Sequence, residues 1–314
     1  MGLSGTESVV RASTVATEGA GTSDNQCVDE AGLLAADRDG GGLLVGACSQ
    51  VESGSALEAA RQSGSIRVGI AGEQPYGFTD RSGRVTGEAP EVARVVFRAI
   101  GIGEIQATQV EFTALIAGLG ARRYDMVAAG MNITPQRCGQ AAFSIPDYSA
   151  FTAFLVPQGN PQQVTRYEDV TAKGLQLAVL SGAVEQDYAE QAGVPAGQVQ
   201  VFDSQNTMLQ AVTDNRVYCA SLTDISLKDL VQKNPDAGVE VTEGFNPVID
   251  GEEVVSAGGF VFRKDDTDLL EAFNPELRRI HDNGEWLRIV EPFGFTEANL
   301  PADDLTTEML CSAG

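Results

Sequence analysis

Arg137 has the clearest setting for ligand chemistry in this sequence. It lies in the segment Thr134-Pro135-Gln136-Arg137, where a Thr followed by a Pro is typical of the first turn of a helix. An apolar strand predicted over residues 126–129 runs into Gly130 just before this turn. The free N–H groups at a helix start attract anions, and a guanidinium can hold a carboxylate with two parallel hydrogen bonds. We therefore predict a site for a ligand carboxylate at the end of a strand.

Other candidate ligand contacts also follow predicted strands, and these are Glu73, Tyr76, Phe112 and Asn132. In α/β proteins ligands bind outside the carboxyl ends of the strands, so side chains in these loops are expected to meet. Glu73 could pair with a ligand cation, and Asn132 could hydrogen-bond a ligand. The rings of Tyr76 and Phe112 are expected to line a cleft. The structural alternatives are a solvated loop acid for Glu73 and core packing for one ring of Tyr76-Gly77-Phe78.

A second set of candidates lies in the middle of the chain. Ser181, Gly182 and Ala183 precede a predicted helix, and their N–H groups could bind the other side of the same carboxylate. The alternative is ordinary helix capping by Ser181. We interpret Glu185 as an acid of the first helical turn rather than as a ligand group.

The composition excludes several classes of function. With 44 acids against 21 bases the chain has a net charge of -23, which repels nucleic acid. This acidity is typical of a well-solvated surface or of adaptation to high salt. The sequence has one histidine, His281, expected on a surface helix, and it lacks HExxH, CxxC and glycine-rich phosphate motifs. Metal hydrolysis, Ser-His-Asp catalysis and dinucleotide binding therefore lack support, and we expect neither a metal nor a cofactor.

The hydrophobic pattern predicts an α/β fold with mostly parallel, doubly wound sheets, because strands and helices alternate at short spacing. The first series covers residues 66–71, 88–100, 105–111, 112–121 and 126–129, and the second covers residues 175–180, 184–191, 199–202, 205–214, 217–220 and 221–233. Two apolar runs, residues 150–156 and 257–262, connect the series and are expected to form a two-strand hinge. Lobe one should then combine residues 63–153 and 260–314, and lobe two should span residues 154–259.

Residues 1–62 are rich in Gly, Ala, Ser and Thr, and we exclude them from the predicted fold. No apolar run in this segment is long enough for a transmembrane helix. The stretch Leu43-Leu44-Val45-Gly46-Ala47-Cys48 resembles a bacterial lipobox, with Cys48 as the candidate for lipidation. Charged residues at positions 37–39 interrupt the apolar region that a signal peptide needs. A plain disordered tail is the alternative.

From about residue 56 to 311 the chain resembles family 3 of the extracellular solute-binding proteins of ABC importers, and within it the ectoine- and hydroxyectoine-binding proteins. The segments that carry the resemblance are IRVGIAGEQPYGFTD, VTGEAPEVAR, EFTALIAGLGARRYDMVAAGMNITPQRC, SLTDISLKDLV and EPFGF with the late Cys311. The resemblance implies a two-lobed, periplasmic-binding-protein-like (type II) fold. Hinge closure would trap a small zwitterionic ligand, and the closed protein would be presented to an ABC permease in the cytoplasmic membrane.

The resemblance places four residues on ligand-contact positions, namely Glu73, Tyr76, Phe112 and Arg137. Two other residues favour a polar amino acid over ectoine. Asn132 stands where some ectoine binders have an aromatic residue, and Asp224 stands where amino-acid binders hold the ligand's α-ammonium. Asp224 could instead cap a helix. We expect a monomer outside the cytoplasm, either periplasmic or on the outer face of the cytoplasmic membrane if Cys48 is lipidated.

Two further hypotheses follow from this resemblance. An enzyme on the same fold, similar to cyclohexadienyl dehydratase, could use Glu73 or Asp224 as a general acid or base. In an exported protein, Cys138 and Cys311 could form a disulfide that ties the C-terminal tail to lobe one, and the alternative is two free thiols.

Overall fold

The computed structural model describes residues 55–312, in which the strands form two main sheets flanked by helices. The strands in this range are β1 (Ser65–Ile70), β2 (Phe78–Thr79), β3 (Val85–Thr86), β4 (Glu104–Gln109), β5 (Met126–Asn132), β6 (Ala142–Phe143), β7 (Tyr148–Ala150), β8 (Thr152–Pro157), β9 (Leu177–Leu180), β10 (Val199–Phe202), β11 (Cys219–Thr223), β12 (Val239–Val241), β13 (Val248–Ile249), β14 (Glu252–Glu253) and β15 (Ser256–Phe262).

Helices alternate with these strands over most of the described chain. The α-helices are α1 (Ala56–Ser63), α2 (Glu88–Ala99), α3 (Leu115–Gly120), α4 (Pro135–Cys138), α5 (Tyr167–Ala172), α6 (Val184–Gln191), α7 (Gln205–Thr213), α8 (Asp224–Lys233), α9 (Thr267–Asp282), α10 (Glu285–Val290) and α11 (Thr307–Ser312). Short 3-10 helices cover Phe112–Ala114, Ala196–Gln198, Glu291–Phe293 and Glu297–Asn299. None of the helices in the described range has both the length and the apolar character that a membrane span requires.

Lobe one is built on a sheet with the strand order β4-β1-β5-β15-β6, and β7 also pairs with β15. β1 runs parallel to β4 and to β5, whereas β15 is antiparallel to its neighbours. Side chains of these strands point alternately to the two faces, as strand geometry requires. Helices α1, α2, α9 and α10 pack on one face, and α3 and α11 pack on the other.

Lobe two is built on a sheet with the strand order β10-β9-β11-β8-β12. β9 is parallel to β10 and to β11, and β8 and β12 add an antiparallel edge. Helices α7 and α8 pack on one face and α5 and α6 on the other. Both lobes are therefore helix-covered α/β units with mixed sheets and a parallel core, in agreement with the predicted fold class.

The two crossings between the lobes lie side by side. The chain leaves lobe one at Phe151, between β7 and β8, and Thr152 forms a bridge with Phe245 on the returning segment. Thr152 already pairs within lobe two, and Ser256 already pairs with Ala150 in lobe one. Both crossings therefore come slightly earlier than the expected boundaries at residues 153 and 260. An apolar run identifies a buried strand but does not say which sheet it joins.

Lobe one begins before the expected boundary at residue 63. The Ser55 hydroxyl caps α1 by accepting a hydrogen bond from the Glu58 N–H at 3.2 Å. α1 then buries Leu57 and Ala60 in the core of lobe one. The expected N-terminal segment, residues 1–62, therefore stops short of α1. The lipidation candidate Cys48 lies outside the described residues.

Two expectations about single positions were wrong. His281 was expected on the surface, but its side chain is only 12% exposed and lies 3.3 Å from the Asp147 carboxylate. A helix was expected from residue 221, but β11 continues to Thr223, since Ser221 pairs with both neighbouring strands. The Ser221 hydroxyl is satisfied by the Tyr167 hydroxyl at 2.7 Å, which makes this polar residue compatible with a buried strand.

A disulfide joins Cys138 at the end of α4 to Cys311 in α11, and the two Cα atoms are 5.7 Å apart. It connects positions separated by 173 residues and ties the C-terminal helix to lobe one. Cys219 is a buried free thiol on β11. The disulfide thus anchors the short helix that also carries Arg137.

Candidate ligand-binding site

The predicted ligand contacts lie in loops at the carboxyl ends of strands, and these loops from the two sheets face each other. In lobe one they follow β1, β4 and β5, and in lobe two they follow β9, β10 and β11. Hydrogen bonds cross between the two sets of loops, so the lobes are in contact around one cleft. This is the place where doubly wound sheets bind ligands.

Arg137 is held on α4 by the local chemistry that the sequence predicts. Pro135 is at the start of the helix, and the Thr134 hydroxyl accepts a hydrogen bond from the Arg137 N–H at 3.4 Å. The guanidinium donates from Nη1 to the carbonyl of Asn132 and from Nη2 to the carbonyl of Gly182, both at 2.8 Å. Because Gly182 belongs to lobe two, Arg137 bridges the cleft. Burial lowers the pKa of Arg137 from its ordinary value, and its remaining N–H groups stay available.

The Phe112 ring lies against this guanidinium, with the Arg137 Cζ 5.4 Å from the ring centroid. A cation over an aromatic face at this range is an attractive arrangement. Opposite this pair, Gly182 has a φ of +74°, and a Cβ there would lie 2.7 Å from the Thr113 methyl carbon. Glycine at position 182 therefore lets the two lobes approach closely.

Glu73 is tied across the cleft by Gln205. The Gln205 amide donates to Glu73 Oε1 at 2.8 Å and to the carbonyl of Gln74 at 3.0 Å. Burial raises the pKa of Glu73 to about 7, although the hydrogen bond from Gln205 and the charge of Arg137 act in the opposite direction. Glu73 is thus a half-buried carboxyl group that changes charge near neutral pH.

Tyr76 is a core residue of lobe one that reaches across the cleft with its hydroxyl. The residue is 2% exposed, and its ring centroid lies 5.2 Å from that of Tyr148 and 5.8 Å from that of Phe295. Its hydroxyl donates a hydrogen bond to the Thr223 Oγ1 of lobe two at 3.0 Å. Of the two rings expected to line the cleft, Phe112 is therefore the more accessible, and Tyr76 also serves the core.

Asn132 ends β5 and is 8% exposed. Its side-chain amide donates a hydrogen bond to the hydroxyl of Ser256 on β15, while its backbone carbonyl holds Arg137. Asn132 therefore positions the guanidinium through its main chain, and its side chain is already paired inside lobe one.

A cavity of about 640 Å³ opens between the lobes. Its walls include Glu73, Phe112 and Thr113 from lobe one and Ser181 and Gln205 from lobe two. This volume falls in the range of small-molecule sites. Charged, amide and aromatic groups therefore converge on a space that suits a small polar ligand.

Comparison with known proteins agrees with this architecture. Residues 66–296 match the model of the bacterial extracellular solute-binding proteins, family 3. The chain is 34% identical over 268 residues to a probable amino-acid ABC transporter periplasmic-binding protein of Sinorhizobium fredii, covering 84% of this chain and 88% of that protein. The chain belongs to family 3 of the bacterial extracellular solute-binding proteins.

Solved structures of related binding proteins share the fold. The crystal structure of EhuB in complex with hydroxyectoine is 35% identical with a TM-score of 0.73, covering 82% of this chain and 98% of EhuB. An ancestral arginine-binding protein bound to arginine is 27% identical with a TM-score of 0.65, covering 73% of this chain and 98% of that protein. The lysine/arginine/ornithine-binding periplasmic protein of Escherichia coli is 25% identical over 255 residues, or 80% of this chain and 94% of that protein.

Two of the three predicted N–H donors of lobe two are already used in this solute-binding protein. The Ser181 N–H donates to the carbonyl of Phe202 at 2.8 Å, and the Ala183 N–H donates to the carbonyl of Leu180 at 3.1 Å. The N-cap of α6 is Ala183, not Ser181. The anion nest expected from residues 181–183 is therefore incomplete, because strand β10 uses the Ser181 N–H and the turn before α6 uses the Ala183 N–H.

Asp224 is buried at the hinge of this solute-binding protein and is already paired. Its carboxylate lies 2.5 Å from Lys228 Nζ and accepts a hydrogen bond from the Phe151 N–H at 3.2 Å. The Asp224 N–H donates back to the Phe151 carbonyl at 2.8 Å. Thr223, not Asp224, caps α8, with its hydroxyl 3.4 Å from the Ser226 N–H. A ligand ammonium would have to share this carboxylate with a lysine.

The sequence interpretation missed three cleft residues, namely Glu185, Gln205 and Thr223. Gln205 follows β10 and Thr223 ends β11, so the strand-end argument applied to every strand would have found both. Glu185 was interpreted as an ordinary helix acid, yet it is 2% exposed. Nothing in the sequence around Glu185 indicates its burial.

Proposed function

We propose that this protein is the substrate-binding protein of an ABC importer and that it captures ectoine or hydroxyectoine by hinge closure. The proposal rests on one observation above the others, which is that Arg137, Phe112 and Glu73 converge on the cleft. The similarity to EhuB, whose structure contains hydroxyectoine, supports the same ligand class. The protein would act as a monomer outside the cytoplasm and would deliver its ligand to a membrane permease.

The chemistry of ectoine suits these three residues. Ectoine is a compact zwitterion with a carboxylate and a delocalised cationic ring. The Arg137 guanidinium would bind the carboxylate with N–H groups that are not committed to carbonyls. The face of Phe112 would attract the cationic ring, a contact that contributes roughly 0.5–2 kcal/mol when desolvated. Glu73 would accept hydrogen bonds from the ring N–H groups, and closure would exclude water from all these contacts.

A polar amino acid is the alternative ligand. The curated relatives include a lysine/arginine/ornithine-binding protein, and Asp224 stands at the hinge edge of the cleft. An α-ammonium would need a point acceptor such as this carboxylate. The ion pair between Asp224 and Lys228 argues against this use, because the acceptor is already neutralised.

An enzyme on the same fold is the second alternative. Its support is the pKa of about 7 at Glu73, which suits a general acid near neutral pH. We propose binding without catalysis, since the named relatives above are binding proteins. Incubation with a cyclohexadienyl acid and detection of an aromatic product by absorbance tests this alternative. Steady product formation that Glu73→Gln abolishes would overturn the proposal.

One thermal-shift panel tests the ligand class. The purified protein is heated with ectoine, hydroxyectoine, glycine betaine and the common amino acids. A ligand present at 100 times its Kd stabilises the folded state by about 2.7 kcal/mol, which gives a measurable rise in Tm. We expect the largest shift with ectoine or hydroxyectoine. A shift with one amino acid and none with ectoine would favour the amino-acid alternative.

A further inference from the structure

Glu185 is a buried acid that the proposed site does not yet use. It is in the first turn of α6, directly after the loop whose Gly182 contacts lobe one. The residue is 2% exposed, and among residues 55–312 its Oε1 finds no hydrogen-bond partner. A buried carboxyl oxygen without a partner is costly, so its position calls for an explanation.

Glu185 lies three residues after Gly182, whose carbonyl accepts a hydrogen bond from Arg137 across the cleft at 2.8 Å. The negative charge of Glu73 and the positive charge of Arg137, both from lobe one, act on Glu185. Arg137 directs its Nη1 and Nη2 hydrogen bonds to carbonyl oxygens rather than to Glu185. Glu185 therefore lies near a second carboxyl group, that of Glu73, and the bonds of the Arg137 guanidinium do not compensate Glu185. A cationic ligand group with N–H donors would supply the missing partner.

We infer that Glu185 is a second acidic ligand group of the cleft and that it selects ligands whose cationic part carries N–H donors. The inference rests on the proposed function, because it requires the ligand to occupy this cleft. Ectoine and arginine both have such a cationic group. The expected division of roles is that Arg137 binds the ligand carboxylate, while Glu73 and Glu185 approach its cation from the two lobes.

This arrangement makes binding depend on pH. Burial raises the pKa of Glu185 to about 7, and the charge of Glu73 acts in the same direction. The other titratable groups that face Glu185 are Arg137, which opposes the shift, and Asp187, Tyr167 and Tyr188. An ionised carboxylate binds a cation more strongly than the protonated carboxyl group does, so affinity should rise with pH. Between pH 6 and 8 the ionised fraction of a group with a pKa of about 7 rises about tenfold.

Protons should also leave the cleft when the ligand binds near pH 7. A bound cation favours the ionised carboxylates, so each half-protonated group releases about half a proton. Glu73 and Glu185 together should release about one proton in the wild-type protein. Calorimetric titration in buffers of different ionisation enthalpy measures this number independently of the affinity.

The experiment compares Glu185→Gln with Glu190→Gln. Glu190 is exposed on the same helix, so the control removes the same charge from α6 outside the cleft. Both variants and the wild type are titrated with ectoine and with arginine at pH 6, 7 and 8. Arginine is included because its guanidinium stays protonated over this range.

We expect Glu185→Gln to weaken binding of the ligand by about tenfold or more at pH 8 and to have little effect at pH 6. Proton release at pH 7 should fall to about half of the wild-type value. Glu190→Gln should behave like the wild type in both measurements. The ratio of the affinities at pH 8 and pH 6 is measured within one folded variant. A lower stability of Glu185→Gln therefore cannot by itself remove the pH dependence of binding.

Two outcomes would contradict the inference, and they differ in what else they contradict. If the wild type binds ectoine and Glu185→Gln keeps the same affinity, pH ratio and proton release, the inference is wrong and the proposed function stands. If the wild type binds neither probe, both the inference and the proposed function are overturned.

Discussion

Arg137 has a backbone setting that the neighbouring residues predict, and its side chain contacts both lobes. Its helix start is determined by Thr134 and Pro135, which are adjacent in sequence, so its backbone setting could be predicted. Its two carbonyl partners, Asn132 and Gly182, come from different lobes. The contact with Asn132 lies within lobe one and orients the guanidinium independently of closure, and pre-positioning of this kind reduces the cost of binding.

We expect Arg137→Ala to weaken binding of any carboxylate ligand by about a hundredfold or more, because two charge-assisted hydrogen bonds are lost. The fold should survive, since the helix cap uses the Arg137 main chain and not its side chain. Arg137→Lys keeps the charge but loses the planar fork, and it should recover only part of the affinity. Calorimetry provides the measurement, and near-wild-type affinity in Arg137→Ala would refute this role.

Phe112 and Asp224 separate the two ligand hypotheses. Phe112→Leu keeps an apolar side chain but removes the π face, so it should weaken ectoine binding by about fivefold to thirtyfold. Asp224→Asn should cost ectoine binding less. For an amino-acid receptor the order should reverse, because the ligand ammonium would lose its counter-charge. Titration of both variants with ectoine and with a panel of amino acids measures the order. Tyr76 is unsuitable for this comparison because its ring belongs to the core.

The candidate residues differ in how far the sequence could predict them. Arg137 depends on its neighbours in the chain, and Asp224 has Lys228 four residues later on the same helix, a pairing that helix geometry makes predictable. Glu185 gave no such signal, because first-turn acids of helices are usually exposed, whereas Glu185 is 2% exposed. The use of the Ser181 and Ala183 N–H groups depends on pairing with β10 and on the turn before α6, which the residue types there do not specify.

At the scale of elements, the strands and helices follow the hydrophobic pattern closely. β10 and α6 have the predicted ends, and α2 and α7 each end one residue earlier than expected. Errors occur where tertiary pairing overrides local preference, as in β11, where Ser221 pairs with both neighbouring strands and β8 continues alongside as far as Thr223. β-sheet pairing is a long-range property, so strand ends are the least predictable part of the pattern.

The disulfide acts on an element that is too short to be stable alone. α4 has four residues and carries Arg137, and Cys138 links it to α11. Isolated helices of this length are not stable in water, so α4 depends on its anchors. We predict the Cys138–Cys311 disulfide in exported protein, and non-reducing peptide mapping that finds both thiols free would argue against it.

Replacing both cysteines by serine tests the consequence of the link. The closed loop spans 173 residues, and the chain-entropy model gives a loss of stability of about 5 kcal/mol. Ligand affinity should also fall, since α4 positions the guanidinium. Denaturant unfolding and calorimetry of the double variant measure the two effects. Unchanged stability together with unchanged affinity would show that the disulfide anchors neither the tail nor the site.

At the scale of the whole molecule, the two lobes are held together by a few polar contacts around the cleft. Gln205 bonds to Glu73 and Gln74, Arg137 bonds to Gly182, and the hydroxyl of Tyr76 bonds to Thr223. The two-lobed plan and the hinge could be predicted from two αβ series joined by apolar crossings. The contacts between the lobes could not be predicted, because each pairs residues that are far apart in sequence.

Closure of the two lobes should depend on the side-chain amide of Gln205. Its amide makes two of the contacts between the lobes, so Gln205→Ala should favour the open form and weaken ligand binding by about tenfold. The matched control is Gln210→Ala, an exposed glutamine on the same helix. Stopped-flow kinetics should assign most of the change to faster dissociation, because the amide acts after the lobes have met. Small-angle X-ray scattering should show that ligand compacts the wild type and the control, and that Gln205→Ala needs more ligand to reach the same compact form. If Gln205→Ala binds and compacts like the control, the amide does not hold the lobes closed, and closure must depend on other contacts between the lobes, such as those of Arg137, Tyr76 and Lys233.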